Sequence, residues 1–219
     1  EINGAVAAAA REAGLAAPPD LATVQAVAAE FDAHVHPAVS EVFGQPSDVD
    51  DDGRITILIM DIVDGYTPGS DYVAGYFHAV NEFSASAVYP YRYSNEREML
   101  YMDCGPGIPA DPTFNLTMAH ELQPLVNFYQ KVFLQGSSTG QDTWINEGLS
   151  SAAEYVYKRH RGDAQPHVAD KVEYYSGDPS GDIAAGRSFL SWTGRYENYV
   201  TVYLFFQWLR IHSGDDSGV

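Results

Sequence analysis

Basic residues are scarce in this 219-residue chain: 12 Lys and Arg stand against 30 Asp and Glu, for a formal net charge of −18. That balance repels phosphate backbones and anionic lipid headgroups, which argues against binding to nucleic acid or a membrane surface. Cysteine is nearly absent. Cys104 alone cannot form an intramolecular disulfide, so no covalent staple contributes to stability and the redox compartment stays open. It reads as a small buried residue. Long apolar runs are missing as well. The longest candidate, YVTVYLFFQWL (199–209), falls short of the roughly 20 residues of a membrane span and suits a core helix. Low complexity is confined to AVAAAAREAGLAA (5–17), whose alanines favour helix. The length suits one large domain or two closely packed lobes.

Pro18 and Pro19 end the alanine-rich helix, and Asp20 caps a second one running to about Phe43, with Leu21, Val24, Val27, Ala28 and Phe31 at helical spacing. ITILIMDIV (55–63) is short, β-branched and almost wholly apolar, as expected of a central strand covered on both faces. Gly, Tyr, Ser and Pro punctuate 65–95, leaving one short strand near Val73 to Phe77. EMLYMD (98–103) reads as another strand. Helices are expected from about Thr113 or Asn115, from Trp144 to Arg161 and from Glu197 to His212, with a loop-rich stretch before the last. The resulting class is α+β, with a helical segment over 1–43, a sheet-bearing lobe over 44–112 and a helical lobe over 113–219 that together make one catalytic-type domain.

Two stretches carry the chemistry, TMAHELQPLVNFY (117–129) and DTWINEGLSSAAE (142–154). In a zinc helix of the H-E-x-x-H type, histidines at i and i+4 reach one ion from one face, and the glutamate after the first polarises the attacking water. Here the pattern reads His120, Glu121, Leu122, Gln123, Pro124. The first ligand and the base are present, and proline stands at the second ligand position. Inside a helix Pro124 leaves the His120 carbonyl without its donor, at roughly 3 kcal/mol; alternatively the helix restarts with Pro124 at its first position. Gln123 and Asn127 are poor substitutes as ligands, and His34, His36, His78, His160, His167 and His212 have no obvious helical register with His120. Glu147 lies 27 residues after His120, sharing a helix face with Ser150, Ser151 and Glu154.

A separate motif precedes the first strand. Asp48, Asp50 and Asp52 alternate ahead of Gly53, like the first half of a calcium loop, but the twelfth position is Ile59, which excludes a complete EF-hand. A partial calcium site and a solvated acidic turn both remain open.

The segments DVDDDGRITILIMDI, GYFHAVNEF, YSNEREMLYMD, MAHELQPLVNF and DTWINEGLSSAAEYV follow the order and approximate spacing of the hyicolysin-type zinc metallopeptidases, which the chain resembles over roughly 40–160. The resemblance implies a zincin-like fold of the glutamate-zinc kind, with a mixed sheet over a helical lobe and zinc between them. It implies zinc on His120 and Glu147, Glu121 as general base, and outer-shell or oxyanion partners among Ser151, Glu154, Tyr196, Tyr199 and Tyr203. The strand around Met99, Leu100 and Tyr101 would offer its edge to an extended peptide or protein substrate. Secretion is implied too, any signal segment lying outside the sequence. Pro124 sets the expectation of a scaffold impaired in hydrolysis, the alternatives being an active peptidase with a rearranged metal shell or a peptide-binding pseudoprotease.

Overall fold

A computed structural model describes residues 12–90, 93–163 and 168–213. The alanine-rich helix expected over 5–17 falls largely outside them, as does His167.

Helix α1 (Leu21–Glu30) starts at Asp20, whose carboxylate accepts the Thr23 N–H at 2.8 Å. It does not run on evenly. Phe31–Val35 widens into a π-helical turn, closed by the His36 N–H on the Phe31 carbonyl, before α2 (His36–Phe43). The widening comes immediately before Pro37, which has no N–H to give to the regular ladder.

Three strands follow: β1 (Thr56–Met60), β2 (Gly75–Phe77) and β3 (Met99–Asp103), in the order β1-β3-β2. β1 runs parallel to β3, pairing Thr56 with Met99 and Met60 with Asp103; β2 is antiparallel, pairing Gly75 with Met102 and Phe77 with Leu100. This corrects two expectations. The apolar run of β1 is an outer strand of this sheet with Leu58 at its surface, and β3 is the central one, burying Met99, Leu100, Met102 and Asp103. β3 is paired with β1 along its whole length and with β2 over Leu100 to Met102, so Leu100 and Tyr101 have no free edge for a substrate, while Met99 is paired on the β1 side alone. Between β2 and β3 lie a 3₁₀ turn (Ala79–Glu82) and the short α3 (Ala85–Val88).

The helical half contains α4 (Pro112–Phe128), α5 (Thr143–His160), α6 (Val168–Gly177) and α7 (Tyr196–His212). Helix α6 occupies part of what reads in sequence as a loop. It buries no residue fully, so its apolar stripe is weak. On α4 the buried Phe114, Met118, Leu122 and Leu125 recur at helical spacing and face the core. That core is one contiguous cluster, running from Val27 and Phe31 through Leu100 and Met118 to Tyr155 and Tyr203. The architecture is α+β, a small mixed sheet with helices, as in a zincin-like peptidase domain. No helix among the described residues is long and apolar enough to cross a membrane.

Candidate active site and metal centre

Helix α4 is set by Asp111, whose side chain caps the Phe114 N–H at 2.7 Å, with Pro112 in the first turn where its missing N–H costs nothing. Its core stripe leaves Thr113, Thr117, His120 and Glu121 along a second face, lining a cleft of about 530 Å³ together with Gly75 and Tyr199. The helix is continuous through Pro124, which therefore sits inside it and does not begin a new one. Pro124 is buried, one turn beyond His120.

Helix α5 supplies the facing carboxylates. Its approach to α7 depends on Gly148, where a Cβ would come within 2.3 Å of the Phe206 ring. Glu147, next along the chain, is thereby held against α4: its Oε2 lies 3.3 Å from His120 Nε2, while His120 Nδ1 lies 2.7 Å from Glu154 Oε1. Burial pulls the imidazole's pKa down, but hydrogen bonds to Glu147 and Glu154 and the charge of Glu121 outweigh it and hold the pKa well above the ordinary histidine value. Both ring nitrogens of His120 thus face a carboxylate oxygen. Burial also raises the Glu121 carboxyl, against the pull of His120.

Glu121 Oε2 accepts the Phe77 N–H of β2 at 3.2 Å. Ladder alternation explains why that N–H is free. Asp103 N–H donates to the Ala74 carbonyl, so the groups of Tyr76 face β3 and those of Gly75 and Phe77 face outward. The open edge over the cleft is therefore β2. Gly75 is required there, because a Cβ would lie 2.9 Å from the Tyr101 carbonyl oxygen and 3.0 Å from Thr117 Cγ2.

The three candidate tyrosines separate. Tyr199 lines the cleft, half-buried, its hydroxyl pushed up to about 12 by burial and then by the charges of Glu147, Glu121 and Glu154. Tyr196 is exposed and packs edge-on against Tyr174, and Tyr203 is buried in the core. Ser150 donates to Gln123 at 3.4 Å, and Ser151 is buried without a hydrogen bond to His120 or Glu147 among the described residues. Gln123 and Asn127 are thus used between the helices, Asn127 donating to Asn146 at 3.3 Å. Histidines elsewhere are engaged apart from the cleft: His34 packs on His160, His36 lies against Phe31 and Ser40, His212 stacks on Trp208, and His78 is exposed. Cys104 is half-buried, and burial pushes its thiol up to about 11.

Two atoms bound to one tetrahedral zinc at about 2.0–2.2 Å lie roughly 3.3–3.5 Å apart. The 3.3 Å between His120 Nε2 and Glu147 Oε2 meets that spacing, and Glu154 on Nδ1 is the outer-shell carboxylate such a histidine needs. The third protein ligand does not fit. Where the motif places its histidine there is a buried pyrrolidine ring with no donor atom, and no third ligand atom converges on the pair among the described residues. Away from the cleft, Asp48, Asp50 and Asp52 each bring a carboxylate oxygen within 4.8 Å of the others.

The peptidase M30 family model matches residues 39–162. The chain is also 37% identical over 194 residues to the neutral metalloprotease ShpI of Staphylococcus hyicus, an alignment covering 84% of this chain and 41% of the relative. It thus spans under half the length of that protein.

Proposed function

This chain belongs to the peptidase M30 family, and on that premise we propose that it is a metallopeptidase-type domain, one zinc ligand short, that receives extended peptide and is impaired in cleaving it. The family implies a metal, typically zinc. The observation that carries the reading is the pairing of an ordered half-site with a blocked one. His120 is held between Glu147 and Glu154, while the next turn of its helix presents buried Pro124. With two protein ligands in place of three, zinc affinity falls by more than about 100-fold, since loss of an outer-shell partner alone costs about 10–100-fold.

The peptide-binding half of the machinery is intact in this reading. An extended segment pairs with the outward N–H and C=O of Gly75 on β2, the strand that faces Glu121 across the cleft. Glu121 sits where a base would act on a substrate laid along β2, and Tyr199 is the hydroxyl placed to meet developing negative charge. The substrates are proteins or peptides, encountered outside the cytoplasm.

The test compares the chain with its Pro124→His variant for hydrolysis of a fluorogenic peptide library in the presence of zinc. Cleavage appearing with the histidine and absent or marginal without it supports the proposal. Equal cleavage by both overturns it in favour of an active peptidase whose metal shell is completed by another side chain or solvent.

A further inference from the structure

The outward edge of β2 is stopped at both ends by side chains of the chain itself. Residues 73, 75 and 77 share the outward parity, because the Asp103 N–H takes the Ala74 carbonyl and Tyr76 faces Tyr101. The Val73 N–H donates to Asp64 Oδ2 at 2.6 Å, and the Phe77 N–H to Glu121 Oε2 at 3.2 Å. Between them, no loop or side-chain hydrogen bond reaches the N–H or carbonyl of Gly75 among the described residues. Asp64 is itself well held. Its Oδ1 accepts the Tyr66 N–H at 2.9 Å, and the Val73 and Tyr66 bonds keep its carboxyl below the usual carboxylate range. The turn between those two residues is tied by the Thr67 N–H on Ser70 Oγ at 3.0 Å and the Ser70 N–H on the Thr67 carbonyl at 2.8 Å. Tyr66 also packs edge-on against Tyr72, which lines the cleft.

A strand that pairs with β2 places a carbonyl oxygen on each outward N–H. At Val73 and Phe77 a carboxylate oxygen already stands in that place, and its charge repels a second oxygen. We infer that Asp64 is a stop on the β2 edge, confining the backbone pairing of an extended peptide to the one residue opposite Gly75. This stop rests on the peptide-binding reading above and deepens it by fixing a register. Glu121 closes the other end from the position of the base, so the paired residue is set relative to the bond that base would act on. Asp64 touches no reacting atom; it determines specificity through the edge it closes. The class of substrate follows. The peptide residue opposite Gly75 must carry an N–H, so proline and other N-substituted residues are excluded there. Opposite Val73, where the peptide is turned off the edge, they are accepted.

Two measurements on the full chain test this. In the first, amide hydrogen exchange is followed by NMR: Val73 should exchange about tenfold or more slowly than Gly75, and Asp64→Ala should remove the difference. In the second, Pro124→His and the double variant Pro124→His/Asp64→Ala digest a denatured protein mixture, and mass spectrometry counts proline at each position around the cleaved bonds. The double variant should gain one position depleted of proline by about fivefold or more, two residues along from a position already depleted in Pro124→His. An identical proline profile in both overturns the stop and leaves peptide cleavage standing; so does loss of cleavage in a folded double variant. Val73 exchanging as fast as Gly75 in the unsubstituted chain overturns it too, and that measurement holds should Asp64→Ala fail to fold. No cleavage by Pro124→His sinks the peptidase reading, and the stop with it.

Discussion

Two carboxylate-rich regions of this protein solve the same electrostatic problem in opposite ways. In the cleft, Glu147 and Glu154 both close on His120, and Glu121 closes on the Phe77 N–H. At the 47–54 loop, Asp50, Glu82 and Glu98 each leave an oxygen unmet although the latter two are buried. In the first region each of these carboxylates has a polar partner within the cleft. The second has Arg97 at 3.7 Å from one carboxylate and no comparable donor for Glu82 or Glu98 among the described residues. Buried carboxylates that meet polar partners need no further account, whereas unmet buried oxygens call for one, such as a retained proton.

The comparison can be broken most sharply at Glu121. In the Pro124→His variant, Glu121→Gln should lower peptide hydrolysis by about 10²–10⁴-fold, the usual worth of a general base, while zinc content stays unchanged. Comparable hydrolysis in the double variant would remove Glu121 from the chemistry.

A second effect concerns the loop. Burial raises Glu82 from 4.5 to about 7, against the Ser47 hydrogen bond and with help from the charge of Glu98. Between those two values the folded chain holds a proton that the unfolded chain has released. Stability therefore falls as pH rises from 4.5 to 7, by up to about 3 kcal/mol, and levels off above. Denaturant titrations across that range should show the decline, and Glu82→Gln should flatten it. An unaltered slope in Glu82→Gln would assign the decline to other groups.

Pro124→Ala separates the helix from the ligand. Restoring the N–H that the His120 carbonyl lacks should stabilise the chain by about 2 kcal/mol, with no gain in zinc uptake. A gain in zinc binding would mean that helix geometry, and not the missing donor, limits the site. The smallest expected effect is at Gly148→Ala, where a Cβ meets Phe206 at 2.3 Å. Overpacking should cost about 1–2 kcal/mol and push α5 from α7, shifting Glu147 from His120. A neutral Tm would show that Phe206 gives way freely.

Much of this arrangement is legible in the sequence for identifiable reasons. The stripe from Phe114 to Leu125, with Asp111 and Pro112 before it, marks α4, and the spacing of His120, Glu121 and Glu147 marks the half-site. Strand order is another matter. An apolar run such as ITILIM looks the same whether it is central or outer, because the partner that covers it lies far away in the chain. That is why β1 and β3 exchange their expected places and the open edge moves to β2. Tyr199 could not be told from Tyr196 and Tyr203 without the orientation of α7. Glu82 and Glu98 carry no local signal, since each looks like a surface glutamate until Ser47 and Val49 are brought against it. Residues 31–35 and 129–134, both π-helical, resemble uninterrupted helix in any periodicity.

The central claim is that Pro124 leaves a two-ligand half-site, and zinc titration of the metal-stripped chain beside Pro124→His tests it most directly. The expected result is stoichiometric uptake by the histidine variant at an affinity more than about 100-fold above that of the chain as it stands. Equal, tight uptake by both would contradict it.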